Sequence, residues 1–149
     1  MPGMAVKDLY EGDFFHWAAV NADLLRAGRF TEADIDHIAE EIEDMGKSQR
    51  RALESRLEIL LAHLLKWQFQ PDGRSSSWRA TIRLQRSKIN KLLREMPTLR
   101  GVALNELEEA YENSVILAAS ETELPEAGFP PACPFSLEQI LDPEFFPES

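Results

Sequence analysis

The sequence has very few of the residues that usually carry redox or metal chemistry. Its 149 residues include one cysteine, Cys133, and three histidines. A single cysteine excludes an intramolecular disulfide, and we therefore expect a cytoplasmic protein. Cys133 lies in the proline-rich stretch PPACPF with no histidine or basic residue near it in sequence. This setting favours a structural or incidental thiol over a reactive one.

Long apolar runs are also absent. The longest, residues 59–65, is interrupted by His63 and is far shorter than the roughly 20 residues of a membrane-spanning helix. The first residues, MPGMAVKDLYEGD, lack the apolar centre of a signal peptide. We therefore expect a soluble protein that does not associate with membranes.

Signatures of catalysis are missing as well. The sequence contains no G-x-S-x-G motif, no glycine-rich phosphate loop and no cysteine–histidine pair at a recognised spacing. We therefore expect no catalytic residue and no cofactor. A non-enzymatic protein is the favoured interpretation.

Charge is distributed in three blocks. Residues 1–46 carry 3 basic and 11 acidic side chains, residues 47–100 carry 13 basic and 4 acidic, and residues 101–149 carry 11 acidic and none basic. The whole chain has a formal net charge of −10. We expect the acidic ends to pack against the basic centre and neutralise it. The alternative is a basic face that stays open and binds phosphate.

Apolar periodicity predicts an all-α fold, a single-domain bundle of about five helices over residues 1–149. The centre of the bundle is the leucine-rich stretch SQRRALESRLEILLAHLLKWQFQP, whose broad apolar arc indicates a core helix. The predicted helices span 13–27, 31–46, 48–69, 76–96 and 98–121. A proline-rich tail, 122–149, is expected to pack on the bundle, with a short helix near 137–141.

Capping residues and apolar stripes refine these helices. Asp13 and Gly28 are the predicted start and end signals of the first helix, and Thr31 is the predicted cap of the second. The second and third helices are predicted to form an antiparallel hairpin that turns at Met45–Ser48. The residues predicted to face the core from the second helix are Ile35, Ile38, Ala39, Ile42 and Met45.

The fourth and fifth helices also have predicted faces. The fourth presents a seam of Trp78, Ile82, Gln85, Ile89, Leu92 and Met96, with Arg79, Arg83, Arg86, Lys91 and Arg94 on its other faces. Thr98 is a predicted cap of the fifth helix. Its predicted inward residues are Leu104, Leu107, Tyr111, Val115, Ala118 and Ala119.

One polar cluster is the main candidate site. Its members border the central helix, begin the fourth helix or lie on the second: Glu40, Glu41, Arg56, His63, Lys66, Gln70, Trp78, Arg79 and Arg83. They form either a pocket for an anionic or polar ligand, or a salt-bridge network that fixes the register of three helices. The network is the favoured interpretation. It predicts that Arg56→Ala strands a carboxylate and costs about 3 kcal/mol or more.

A metal site is a less favoured hypothesis. Asp13 and His16, and likewise Asp34 and His37, have the Asp-x-x-His spacing that places both side chains on one helix face. Metal-binding helical bundles use a related Glu-x-x-His motif. Such spacing is common by chance, and we predict no metal.

The second hypothesis for the function, ahead of metal binding, is a nucleic-acid-associated or regulatory protein that uses the basic face of the fourth helix. The fourth helix carries Arg79, Arg83, Arg86, Lys88, Lys91 and Arg94. Against this interpretation, the net charge of −10 repels phosphate, and no helix-turn-helix or zinc-finger pattern is present.

The stretches LEILLAHLLKWQFQP and SSSWRATIRLQR, with LYEGDFFHW near the start and CPFSLEQILDPEFFP near the end, resemble the bacterial family called "domain of unknown function 29". The resemblance covers most of the chain and implies a single helical domain. It implies no activity, ligand or catalytic residue. We therefore expect an interaction or structural module that self-associates through a seam on the fourth or fifth helix, or binds a protein partner.

Overall fold

The computed structural model describes residues 5–148, so the parts of the predicted domain at 1–4 and of the predicted tail at 149 lie outside the described residues. Over the described range the chain forms α-helices and no strand, which confirms the all-α class. None of these helices combines the length and apolarity that crossing a bilayer requires. They are α1 (Val6–Gly12), α2 (Phe14–Arg26), α3 (Ile35–Phe69), α4 (Ser76–Glu95), α5 (Leu99–Thr122) and α6 (Leu137–Leu141).

The chain divides into two compact units at the Ser48–Gln49 bond. The first unit contains α1, α2 and the beginning of α3. The second contains the rest of α3 and the helices α4, α5 and α6.

The local signals at α2 are confirmed. The Asp13 carboxylate accepts a hydrogen bond from the backbone N–H of His16 at 3.1 Å, as an N-cap residue should. Gly28 follows the helix with φ of +73°, a backbone conformation that glycine adopts without a steric penalty. The preceding helix α1 was not predicted, because its seven residues bury only Leu9 and are too few to show a helical period.

The predicted hairpin at Met45–Ser48 is wrong, because α3 is one continuous helix of 35 residues. The residues at the expected turn include Gly46 but no proline. One interior glycine costs only about 1 kcal/mol, and strong helix formers on both sides extend the helix through it. The helix also starts later than predicted, at Ile35, so the predicted Thr31 cap is wrong. The backbone carbonyl oxygen of Asp34 accepts the N–H of Ile38 at 2.9 Å.

The apolar stripe at the beginning of α3 is not buried as predicted. Ile35 is exposed, and Ile42 and Met45 are 59 % and 62 % exposed. Ile38 is half-buried. The prediction was wrong because periodicity identifies an apolar face without showing that anything covers it.

The core of the second unit is built around α3, as the leucine-rich arc predicts. Its leucines are fully buried against apolar residues of the later helices and of the C-terminal segment. The α3 members of this core are Leu53, Leu57, Leu60, Leu61, Leu64 and Leu65. Burying each leucine contributes on the order of 2 kcal/mol, so this arc holds the unit together.

Helix α5 contacts the core through small residues. Ala103, Ala110, Ser114 and Ala118 are buried together with Tyr111, whereas Leu104 is 54 % exposed. The predicted inward position of Leu104 is therefore wrong. Small side chains on the buried face let the helix approach its neighbours closely. Thr98 precedes the helix but its side chain makes no capping bond.

Candidate functional site

The two acidic members of the predicted polar cluster belong to the first unit. Glu41 accepts a hydrogen bond from the Tyr10 hydroxyl, and this bond raises the pKa of that hydroxyl. Glu40 is exposed. Tyr10 also stacks on His37 with ring centroids 3.9 Å apart. These contacts join α1 to α3 inside the first unit.

Arg56 makes a different bond from the one expected. Its Nη1 donates to the side-chain oxygen of Gln85 at 3.2 Å, which joins α3 to α4. Among residues 49–148 no carboxylate lies within 4.0 Å of this guanidinium. Arg56→Ala would therefore strand no carboxylate in this unit, and its expected cost falls to about 1 kcal/mol.

His63 and Lys66 are both engaged by the protein. His63 Nδ1 lies 2.9 Å from the carbonyl oxygen of Ile59 in its own helix, and burial lowers the pKa of the imidazole. Lys66 is only 5 % exposed. Its Nζ lies 2.5 Å from a carboxylate oxygen of Glu121 and 4.8 Å from the ring centroid of Trp78. The lysine therefore ties α3 to α4 and α5.

The other members make weaker contacts. Arg79 lies over the rings of Trp67 and Phe146, 5.0 Å from each centroid. Gln70 is half-buried, and its backbone N–H donates to the carbonyl oxygen of Lys66. Within the second unit the structure therefore brings Lys66 and Trp78 together. That the cluster fixes the register of the helices, the favoured interpretation, stays a prediction, as does the alternative that it binds a ligand.

Arg83 lines a groove that the sequence did not predict. The groove has a volume of about 330 Å³, and its lining residues belong to α4 except for Pro143. They are Arg83, Arg86, Ser87, Asn90, Arg94 and Pro143. Three arginines thus line one small concavity.

Arg86 is the residue that sequence reasoning missed. Predicted on an outer face, it is only 1 % exposed. It lies on the buried stripe of α4 with Ile82, Ile89 and Leu93, at spacings of four, three and four. That spacing was a usable signal, but Arg86 was grouped with the other basic residues of the helix and not with its apolar seam.

The bonds of Arg86 explain why it is buried. Its Nε–H donates to the carbonyl oxygen of Ile140 at 2.7 Å, and Nη2 lies 3.4 Å from that of Gln139. These are carbonyls at the C-terminal end of α6, where a cation is favoured. Burial lowers the pKa of the guanidinium, and the nearby Asp142 opposes that effect.

Charge compensation is incomplete around this groove. Elsewhere in the second unit, acidic residues of the C-terminal region form salt bridges with the basic centre. Glu106 is bonded to Arg50, and Glu121 to Lys66. Among residues 49–148, no carboxylate lies within 4.0 Å of the guanidinium groups of Arg83, Arg86 or Arg94. The expected neutralisation therefore does not extend to the α4 groove within this unit.

The Asp-x-x-His pairs have structural partners. Asp13 caps α2, as described above. Asp34 is buried and its Oδ2 lies 2.7 Å from His37 Nδ1 and 3.0 Å from the indole Nε1 of Trp17. Over the part of the chain that the structure describes, no three His, Cys, Asp or Glu side chains are grouped as metal ligands.

Comparison with known proteins gives one match. Residues 9–146 match the family described as "Domain of unknown function DUF29". Searches of curated proteins and of solved structures gave no significant match.

Proposed function

The chain belongs to the DUF29 family, and from that premise we propose that it is a non-enzymatic interaction module that pairs with a second copy of itself along α3. We place this module in the bacterial cytoplasm, because the sequence resembles a bacterial family and has a single cysteine. The exposed middle of α3 carries the proposal.

Residues 42–51 of α3 are all exposed. This stretch covers almost three helical turns, and from it Arg50 bonds to Glu106 of α5. Most helical stability in proteins comes from packing of an apolar face. Because Ile42 and Met45 of the apolar stripe are mostly exposed, this part of α3 is suited to pack against another molecule.

The stripe has the spacing of a coiled-coil seam. Ile35, Ile38, Ile42 and Met45 follow one another at intervals of three, four and three, which corresponds to alternating a and d positions. Ala39 and Gly46 flank the seam, and their small size allows a partner helix to approach closely. A second helix of the same kind fits this surface.

Charge favours an antiparallel pair. The part of α3 before Gly46 carries Glu40, Glu43 and Asp44, whereas Lys47 and Arg51 follow it. Two antiparallel copies would place the acidic half of each beside the basic half of the other. Two parallel copies would place acidic beside acidic. The antiparallel pair has a two-fold axis and closes as a dimer.

The net charge of −10 also favours a protein partner over nucleic acid. Self-association through the fourth or fifth helix, which the sequence suggested, has less support. The exposed apolar residues there, such as Leu84 and Leu104, do not form a continuous seam.

Analytical ultracentrifugation tests the proposal. Wild type is expected to sediment with twice its 17.0 kDa monomer mass, and Ile42→Ser with Met45→Ser is expected to shift it to monomer. Leu104→Ser removes an equally exposed leucine from α5 and is the matched control, which should stay dimeric. A wild-type monomer at all concentrations, or equal dissociation by both variants, would refute self-association through α3.

Disulfide trapping tests the orientation. In a Cys133→Ser background, an antiparallel pair places residue 42 of one copy opposite residue 45 of the other. A mixture of Ile42→Cys and Met45→Cys chains should then form cross-linked dimers, whereas each variant alone should form few. Efficient cross-linking of Ile42→Cys with itself would contradict the antiparallel arrangement.

A further inference from the structure

We propose that the α4 groove lined by Arg83, Arg86 and Arg94 binds a small phosphate monoester, a property separate from self-association through α3. The inference depends on the buried state of Arg86, on the absence of a bonded carboxylate in the second unit, and on the size of the groove.

The hydrogen-bonding capacity of Arg86 is only partly used. Nε and Nη2 are directed to the carbonyl oxygens of α6, but Nη1 is buried without any hydrogen-bond partner among the described residues. A buried charged donor without a partner is costly, so such atoms are rare in folded proteins. Nη1 is itself covered, so an anion in the groove would supply the missing acceptor after a small shift of the Arg86 side chain.

The charge around the groove selects a strongly charged anion. Arg83 and Arg94 are exposed and contribute two further guanidinium groups. Asp142 lies near Arg86 but does not come within 4.0 Å of it. Guanidinium groups form paired hydrogen bonds with phosphate oxygens. Three such groups match the two negative charges of a phosphate monoester better than the single charge of a carboxylate.

Neutral groups complete the lining. Ser87 and Asn90 lie one helical turn apart on α4, and Asn90 Nδ2 already donates to the carbonyl oxygen of Leu141 at 3.1 Å. Ser87 offers a hydroxyl that can donate to a phosphate oxygen.

The volume of the groove favours a small ligand over a nucleic acid. A volume of about 330 Å³ is roughly that of ten water molecules, which suits one phosphate group with a small attached moiety. A nucleic-acid backbone would need a longer cationic track and would meet the overall charge of −10.

Isothermal titration calorimetry with inorganic phosphate and ribose 5-phosphate is the direct test, with acetate and a short DNA duplex as comparison ligands. Both phosphates should bind wild type, acetate should bind at least about tenfold more weakly, and the duplex should not compete. Arg83→Ala with Arg94→Ala should weaken phosphate binding by about tenfold or more, because each lost charged hydrogen bond costs about that factor.

Lys88→Ala is the matched control, because Lys88 is an exposed cation on the same helix outside the groove lining. Its phosphate affinity should stay within about twofold of wild type. Arg83, Arg94 and Lys88 are exposed, so the double arginine variant and Lys88→Ala should both keep the wild-type circular dichroism and melting curve. No phosphate binding, equal weakening by Lys88→Ala, acetate binding as tight as phosphate, or tighter binding of the duplex would overturn the proposal.

Discussion

The Nε–H of Arg86 donates to the carbonyl oxygen of Ile140 at 2.7 Å, and this bond joins the middle of α4 to the C-terminal end of α6. Helix α6 has only five residues and would not be stable alone. A capping box formed by Ser136 and Gln139 fixes its start. Arg86 fixes the end of α6, together with the burial of the apolar side chains of α6.

We expect Arg86→Ala to lower the free energy of unfolding by about 3 kcal/mol, because the substitution strands buried carbonyl oxygens and leaves a cavity. Arg83→Ala, an exposed change one turn away, should stay within about 0.5 kcal/mol of wild type. Urea denaturation followed by circular dichroism measures both. Equal stabilities of the two variants would show that Arg86 does not hold α6 in place.

Lys66 and Glu121 allow a test of a half-buried ion pair. Lys66 is buried and the Glu121 side chain is about half exposed, so solvent screens the pair and its net contribution is small. Glu121→Gln should cost about 1 kcal/mol by leaving the lysine without its charged partner. Adding Lys66→Met should recover most of that loss, because the methionine needs no partner. A double-mutant cycle by urea denaturation measures the coupling, and additive losses would contradict it.

Asp34 holds the first unit together through three residues. Its carboxylate accepts from Trp17 and contacts His37, while its backbone N–H donates to Asn21 at 2.8 Å. Burial raises the pKa of the carboxyl group, but the hydrogen bonds outweigh burial and the net shift is downward. Asp34→Ala should destabilise this unit by about 2–3 kcal/mol, because the buried indole N–H loses its acceptor.

Hydrogen exchange of the α2 amides measures the effect of Asp34→Ala. Asp36→Ala, an exposed change two residues later, is the control and should leave their protection unchanged. Protection that falls equally in both variants would exclude the specific role of Asp34.

His63 predicts a dependence of stability on pH. Its pKa is lowered in the folded chain by burial and by Lys66, and is raised by the carbonyl of Ile59 and by Glu121, with burial the largest effect. The imidazole has a pKa of about 6.5 in the unfolded chain. As the pH falls below that value, the unfolded chain therefore binds more protons than the folded chain. Stability should fall as the pH is lowered from 7 through this window.

His63→Gln should lose less stability between pH 7 and pH 5 than wild type, since glutamine does not titrate. His16→Gln, an exposed change, should follow wild type. Urea denaturation at the two pH values distinguishes them, and parallel losses in all three proteins would contradict the assignment to His63. Asp34 does not interfere, because its lowered pKa places its titration below this window.

The helices could be predicted where one local signal was sufficient. Asp13 caps α2 with its side chain, as the sequence predicts. The α3 leucines are buried as their spacing predicts. The turn at Met45–Ser48 was predicted wrongly because a glycine beside polar residues resembles a break, yet its cost is small within a long helix.

The candidate sites were harder to predict because each depends on a distant partner. Arg86 was predicted away from the apolar seam of α4, but α6 supplies carbonyls from more than 50 residues away that make its burial favourable. Leu104 was assigned to the core as one of the apolar positions along α5, although Ala103 and Ala110 lie on the buried face of this helix.

The sequence by itself determined the all-α class, the leucine-rich core helix and the Asp13 cap of α2, because these follow from periodicity and from hydrogen bonds within a few residues. Only the tertiary structure decided which charged side chains form salt bridges. It also decided that Arg86 is buried with one unused donor and that Ile42 and Met45 are exposed. Those outcomes depend on which distant side chains and carbonyls meet, and side-chain spacing along one helix does not contain that information.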